Sequence, residues 1–255
     1  MNILDEIVAK TKIRVQSEKK AGLPSGKAAG KMPFIFEDRL HSRHMSFICE
    51  IKKASPSKGI ISEDFPYLDI AREYEQAGAD AISVLTEPGF FQGSPRYLTE
   101  VGASVNIPVL RKDFIVDPFQ IEQSALLGAD AVLLICAVLS QRQLYEYIKL
   151  ADSFGMSCLV EAHDENEVKA AADSGARIIG VNNRDLKTFK VDRENSIRLR
   201  KAAPKDIIFV SESGIKTHED IALLDENGID AVLIGETLMR SENRKETLKA
   251  LKGEV

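Results

Sequence analysis

Gly78-Ala79-Asp80-Ala81, Gly128-Ala129-Asp130-Ala131, Gly175-Ala176-Arg177-Ile178 and Gly228-Ile229-Asp230-Ala231 recur about every 50 residues along this chain of 255 residues. Each follows a stretch of helical period and precedes a short apolar run. Each glycine therefore reads as the stop of a helix that feeds a buried strand. One recurrence has room for two strand–helix units. Filling in the intermediate strands predicts Phe47 to Lys52, Ala81 to Thr86, Pro108 to Lys112, Ala131 to Ile135, Ser157 to Glu161, Ile178 to Asn182, Ile207 to Glu212 and Ala231 to Gly235. Continuous apolar runs of this length suit strands covered on both faces, as in parallel sheets. The segments between them have helical period, among them Tyr67 to Gln76, Phe119 to Leu127, Gln141 to Phe154 and Glu165 to Ala172. Eight alternating units without a second domain predict an α/β protein of one domain, a closed (β/α)8 barrel over 46–255. No GxGxxG follows the first strand, which counts against a dinucleotide-binding sheet.

Ahead of the barrel, residues 1–45 form an extension with a helical pattern at Ile3, Leu4, Ile7 and Val8, then a Gly/Pro/Lys-rich stretch from Gly22 to Pro33 that reads as a loop. Its apolar positions predict docking, as a linker or as a cap over one barrel mouth. The first 20 residues alternate apolar and charged types, so they form neither a signal peptide nor an anchor, and no run reaches membrane-spanning length. A formal net charge of −5 without a long basic run argues against nucleic-acid partners. The expectation is a soluble, cytoplasmic, monomeric protein. Cys49, Cys136 and Cys158 sit in apolar strand-like runs and read as reduced packing residues, and the four histidines form no HxxxH pair, so no metal is expected.

In a parallel barrel the strands end at the face where loops gather polar groups that the packed interior excludes. The strand ends read Glu50 and Lys52, Thr86 and Glu87, Lys112, Glu161, Asn182 and Arg184, Glu212 and Ser213, then Gly235 and Glu236. Charges on so many apolar strands predict one mouth equipped with proton donors and acceptors, because an unpaired buried charge is costly. Glu50 and Lys52, two apart on a strand, point to the same face. Ser211-Glu212-Ser213-Gly214-Ile215 after the seventh strand and Leu233-Ile234-Gly235-Glu236 at the end of the eighth occupy the places where barrels bind phosphate, with Gly214 and Gly235 allowing close backbone approach. Ser55-Pro56-Ser57-Lys58-Gly59 reads as a mobile loop able to fold over an anion, and Phe90-Phe91 offers a flat apolar contact. Thr217-His218-Glu219-Asp220 fits a helix-capping box, so Thr217 is assigned to structure.

Taken in order, Glu50-Ile51-Lys52-Lys53-Ala54-Ser55-Pro56-Ser57, Phe91-Gln92-Gly93-Ser94, Leu110-Arg111-Lys112-Asp113-Phe114-Ile115, Val160-Glu161, Asn182-Asn183-Arg184-Asp185-Leu186 and Glu212-Ser213-Gly214-Ile215 resemble indole-3-glycerol-phosphate synthases across the whole barrel. The resemblance implies ring closure, decarboxylation and dehydration of 1-(2-carboxyphenylamino)-1-deoxyribulose 5-phosphate, in tryptophan biosynthesis and without a cofactor. It implies Lys112 as the acid that protonates the ketone, its proton loosened by neighbouring cations. Glu161 would stabilise charge on nitrogen or take a proton during rearomatisation, and Glu50 and Lys52 would serve the dehydration. Asn182 and Arg184 would orient hydroxyl and carboxylate groups, Glu212 and Ser213 would complete the polar wall, and Phe91 would pack on the aromatic ring. Ser55, Ser213, Gly214 and Gly235 would surround the phosphate, with Glu236 where some relatives have serine. Arg39 stands in place of a small residue of relatives. The rival readings are another phosphate-binding barrel enzyme, such as phosphoribosylanthranilate isomerase, or a non-catalytic barrel that binds a phosphorylated metabolite. The isomerase would need a different acid–base pair and would not be expected to carry Lys112 in this Arg-Lys-Asp-Phe context together with the extension, and the non-catalytic barrel would not need Lys112, Glu50 and Glu161 together. The sequence carries no signal for association with other enzymes of the pathway.

Overall fold

The computed structural model describes residues 2–24, 32–42, 44–185 and 190–254. Most of the predicted loop between Gly22 and Pro33, and Leu186 of the Asn182 motif, lie outside the described residues.

Eight parallel strands close into a barrel: β1 (Ser46–Ile51), β2 (Ala81–Leu85), β3 (Val109–Lys112), β4 (Ala131–Ile135), β5 (Ser157–Ala162), β6 (Ile178–Asn182), β7 (Ile208–Glu212) and β8 (Ala231–Ile234). Each strand pairs with its sequence neighbours, and β1 closes the ring by pairing with both β2 and β8. All eight are the strands expected, with ends that differ by a residue at most. Beside the ring, Ala54–Ser55 and Gly59–Ile60 pair antiparallel, so the loop after β1 carries a small hairpin.

Two-residue alternation divides every strand between two environments. Ile48, Ala81, Leu110, Ala131, Leu133, Leu159, Ile178, Ile208, Val210, Ala231 and Leu233 pack into one buried cluster inside the ring. Phe47, Cys49, Ile82, Val84, Val109, Val132, Leu134, Val160, Ile179, Phe209 and Val232 join the larger cluster beneath the surrounding helices. Continuing the inward series toward the carboxyl ends reaches Glu50, Lys112, Glu161, Asn182, Glu212 and Gly235. The alternation that builds the apolar interior thus aims the polar groups into one mouth.

Helices follow the strands: α3 (Tyr67–Gln76), α4 (Pro95–Ser104), α5 (Phe119–Leu126), α6 (Gln141–Ser153), α7 (Glu165–Asp173), α8 (Asn195–Arg200), α9 (His218–Glu226), the short α10 (Glu236–Met239) and α11 (Arg244–Lys252). Their starts follow local chemistry. Ser140 and Thr217 each form a reciprocal capping box with the residue three places on. Thr217 therefore has the structural role assigned to it.

The extension supplies α1 (Ile3–Ala21) and α2 (Ile35–Leu40), and they take opposite duties. Phe36 and Leu40 of α2 are buried in the cluster inside the ring with Ile48, Ala81, Ala131, Ile178 and Ala231, so α2 plugs the end where the strands begin. Arg177 fastens this plug through Glu37 at 2.7 Å and stacks its guanidinium 4.9 Å from the Phe34 ring. Helix α1 instead reaches the end where the strands finish: Arg14 bonds Asp113 at 2.8 Å and Lys19 meets Asp117 at 3.0 Å. The extension is a plug at one mouth and a wall at the other. Cys49 and Cys158 are buried and Cys136, one residue past β4, is partly so; all three are free thiols. Among the described residues no helix is long and apolar enough to cross a membrane.

Candidate active site

A cavity of about 790 Å³ opens at the carboxyl ends of the strands. Every residue proposed from sequence for the site lines it: Glu50, Lys52, Ser55, Phe91, Lys112, Glu161, Asn182, Arg184, Glu212, Ser213, Gly214, Gly235 and Glu236. Ile3, Leu4 and Ile7 of α1 add an apolar wall near Phe91 and Phe114, whose ring centroids lie 6.0 Å apart.

The floor is a charge cluster. Lys112 Nζ lies 2.5 Å from Glu212 Oε2 and 3.7 Å from Glu161 Oε2, while Lys52 is bonded to Glu50. Glu50, Glu161 and Glu212 are each less than 5% exposed. Three carboxylates in so little water cannot share one electrostatic fate. Burial raises Glu212, and the negative Glu161 and Glu50 add to it, so that despite Lys112 it titrates at about 7. Burial acts on Glu161 in the same sense, but His163, Lys112 and Asn182 outweigh it and hold Glu161 down to about 2. Glu50 is likewise held below the usual range, Lys52 and Lys112 overcoming its burial.

This arrangement corrects one expectation. Lys112 is not surrounded by cations: it faces Glu212, Glu161 and Glu50, and although burial works against its charge, these carboxylates raise its pKa above the ordinary lysine value. It is a firmly held ammonium.

Two glycines make room for the carboxylates. A Cβ on Gly235 would collide with Glu50 Oε1, and one on Gly180 would collide with Glu212 Oε1. Gly235 was read from sequence as a point of backbone approach to phosphate, but its missing side chain is space filled by Glu50. Gly180, inside an apolar strand, carried no signal of its own. Glu212 Oε1 is buried and has no hydrogen-bond partner among the described residues, so this carboxyl retains an unsatisfied oxygen at the floor of the cavity.

The rim after β7 is a left-handed turn held by hydrogen bonds. Ser213 and Gly214 both have left-handed backbone, φ 68° and 87°, a conformation rare for serine and a mark of a functionally held turn. The Asn183 amide bonds the Ser213 carbonyl at 3.2 Å, and the Ser213 hydroxyl donates to Asn182 Oδ1 at 3.0 Å. At Gly214 a Cβ would come within 2.6 Å of Val191.

The Glu236 carboxylate gathers three cations: Lys58 at 3.2 Å, Arg184 at 3.4 Å and Arg240 at 3.4 Å. Arg240 meets Glu236 through its spacing of four residues on one helical turn, whereas Lys58 arrives because the loop after β1 folds toward α10. Two strand-end residues turn away from the chemistry. Glu87 accepts the main-chain N–H groups of Gly89, Phe90 and Phe91 at 2.9, 2.6 and 3.1 Å, which fixes the aromatic loop. Thr86 donates to Asp113 at 2.6 Å beneath α5. His163, unremarked in the sequence except as an unpaired histidine, stands 3.3 Å from Glu161.

The family model for indole-3-glycerol phosphate synthase matches residues 4–251. The chain belongs to the indole-3-glycerol phosphate synthase family. It is 61% identical to indole-3-glycerol phosphate synthase from Ruminiclostridium cellulolyticum, over 98% of this chain and 99% of that one. It is 57% identical to the enzyme of the same name from Endomicrobium trichonymphae, again over 98% and 99%. Among solved structures, 3-hexulose-6-phosphate synthase from Salmonella typhimurium shares the fold at a TM-score of 0.68 with 15% identity, covering 82% of this chain and 97% of that one. Family membership makes the chain a decarboxylating lyase of tryptophan biosynthesis.

Proposed function

We propose that the Lys112 cluster closes an indole ring on 1-(2-carboxyphenylamino)-1-deoxyribulose 5-phosphate. The observation that carries this reading is the Lys112 side chain between Glu212 and Glu161 on the floor of a cavity with one apolar and one cationic wall. The aromatic ring lies against Phe91 and the α1 residues. The phosphate meets the Ser213–Gly214 turn, the backbone at Gly235, Ser55, and the cations now held by Glu236.

In the first step the ring carbon that bears the carboxylate attacks the ketone carbon, and the ketone oxygen takes a proton from Lys112. Loss of carbon dioxide returns the electron pair of the breaking bond to the ring system. Glu161, kept ionised, balances the positive charge that nitrogen carries between these events. Glu212, titrating at about 7, is matched to returning a proton to Lys112 near neutral pH. In the dehydration the hydroxyl leaves as water with a proton from Lys52, while Glu50 accepts the proton lost as the indole becomes aromatic. Asn182 and Arg184 orient the substrate's hydroxyl and carboxylate groups. No step calls for a metal or organic cofactor. The net charge of −5 and the small cavity support a cytoplasmic enzyme for a small phosphorylated substrate rather than a nucleic-acid binder.

The test is to add this substrate to purified, EDTA-treated protein and follow indole fluorescence. A rise is expected. No rise, with phosphate-ligand binding intact, would favour a non-catalytic metabolite-binding barrel, and activity restored by a divalent ion would contradict the cofactor-free route.

A further inference from the structure

His163 follows β5, two residues beyond Glu161, and its ring faces two carboxylates at once. Nε2 lies 3.3 Å from Glu161 Oε1 and Nδ1 lies 3.0 Å from Glu167 Oε2. The same Glu167 oxygen accepts the main-chain N–H of His163 at 2.8 Å. Glu167 is fixed in turn, because its own N–H bonds Asp164 Oδ1 at 2.9 Å in the first turn of α7. From α8, the Asn195 amide reaches the His163 carbonyl at 3.4 Å.

A neutral imidazole has one N–H and one lone pair, so with carboxylates at both nitrogens it sets a lone pair against negative charge. Only the imidazolium puts positive charge against both: Nδ1 hydrogen-bonds Glu167, while Nε2 meets Glu161 as an ion pair and has no hydrogen-bond partner among the described residues. We propose that His163, as an imidazolium anchored by Glu167, is a positioning residue that keeps Glu161 ionised and aims its free oxygen at Lys112. The chain of charge runs Glu167, His163, Glu161, Lys112, Glu212, and alternates in sign at every step.

The groups that face this clamp come from all sides. Lys112 on β3 stands 3.7 Å from Glu161 Oε2, Asn182 on β6 acts on the same carboxylate, and Glu212 on β7 and Glu50 on β1 face Lys112. Asp164 and Glu167 lie at the start of α7, and the Cys136 thiol reaches the Glu167 carbonyl at 3.6 Å. Burial favours the neutral ring, but Glu161 and Glu167 outweigh it and lift His163 to about 10. The ring therefore keeps its charge throughout the neutral range, where Glu161 needs it.

This inference rests on the reading that Glu161 serves the reaction. The experiment compares His163→Gln, Glu167→Gln and Glu161→Gln for kcat and KM between about pH 5 and 9, with near-ultraviolet circular dichroism as a check of folding. Histidine labelled with ¹⁵N reports the ring charge directly in the wild type, and His163→Gln identifies the signal. Glu161→Gln is expected to abolish most turnover. His163→Gln should lower kcat about tenfold or more, leave KM within about twofold, and move the acid limb of kcat upward, because Glu161 then protonates more readily. In the wild type the ring should remain protonated at about pH 8, and in Glu167→Gln it should lose its proton at a lower pH than in the wild type. A ring that is neutral at that pH in the wild type overturns the proposal. So does His163→Gln with unchanged kcat and acid limb beside an inactive Glu161→Gln. An active Glu161→Gln overturns the role of Glu161 itself. If His163→Gln does not fold, the ring charge in the wild type and in Glu167→Gln decides.

Discussion

Arg111, Lys112 and Asp113 are consecutive, all carry charge, and belong to two clusters that differ in one decisive respect. Arg111, wholly buried beneath the helices, bonds Thr86 at 3.1 Å, the Gln120 carbonyl at 3.1 Å, Gln123 at 2.8 Å, Ser124 at 3.1 Å and Asp113 at 3.1 Å. Asp113 adds Arg14, Thr86 and the Phe114 N–H. On this outer side every nitrogen of the Arg111 guanidinium meets an acceptor, although Arg14 Nε and Nη1 have no hydrogen-bond partner among the described residues, and the cluster locks β3 to α5 and to α1. On the inner side Lys112 faces more carboxylates than it can neutralise, Glu212 keeps an unpaired oxygen, and two carboxyls of one residue type titrate at about 7 and about 2. Buried charge by itself does not mark a catalytic group. What sets the inner cluster apart is that its carboxylates are driven in opposite directions, Glu212 raised and Glu161 lowered.

Four substitutions sharpen this contrast. Lys112→Ala should lower kcat on the order of 10²- to 10⁴-fold, the usual worth of a positioned acid, while product still binds. A steady-state assay by indole fluorescence together with product titration checks this. Arg111→Met should cost about 3–5 kcal/mol of unfolding free energy, since it strands Asp113 and several amide and hydroxyl partners without their cation. Denaturant unfolding reads that loss. Gly235→Ala forces the Glu50 carboxylate aside and should lower kcat about 10- to 100-fold. A change confined to KM would return Gly235 to a phosphate role alone.

The smallest effect concerns pH. Glu212 is raised in the folded protein from 4.5 to about 7, so between these values the native state binds a proton that the unfolded chain has released. Its contribution to stability is therefore present at low pH and is lost as pH rises through that window. Glu212→Gln should flatten this decline. Glu161 behaves oppositely: its stabilisation is lost only as pH falls from 4.5 toward about 2. Unfolding curves for the wild type and Glu212→Gln across the neutral range would show the difference in slope.

The fold was legible because the barrel repeats one physical unit. Apolar strands buried on both faces and glycine stops such as Gly128 and Gly228 announce themselves locally. The site was legible as a set of strand ends, since Glu50, Lys112, Glu161 and Glu212 interrupt apolar runs where core packing has no use for charge. What the sequence could not carry is the relation between strands. Lys112 was expected among cations, and its neighbour in the chain is indeed Arg111. Strand alternation instead sends Arg111 outward, and barrel closure brings Glu212 and Glu161 to face Lys112. Gly180 and His163 had no local signature, because one matters only through the Glu212 carboxylate beside it and the other through Glu161 and Glu167. Two of the cations held by Glu236, Lys58 and Arg184, likewise come from loops far apart in the chain.

The most direct measurement is the crossed pair: turnover per folded molecule for Arg111→Met, and unfolding free energy for Lys112→Ala, on the same preparations that give the primary effects. An inward catalytic group and an outward scaffold predict that folded Arg111→Met keeps turnover within about threefold and that Lys112→Ala keeps stability within about 1 kcal/mol. If Arg111→Met loses turnover as deeply as Lys112→Ala, or Lys112→Ala unfolds as readily as Arg111→Met, the two clusters act as one and the division proposed between them is wrong.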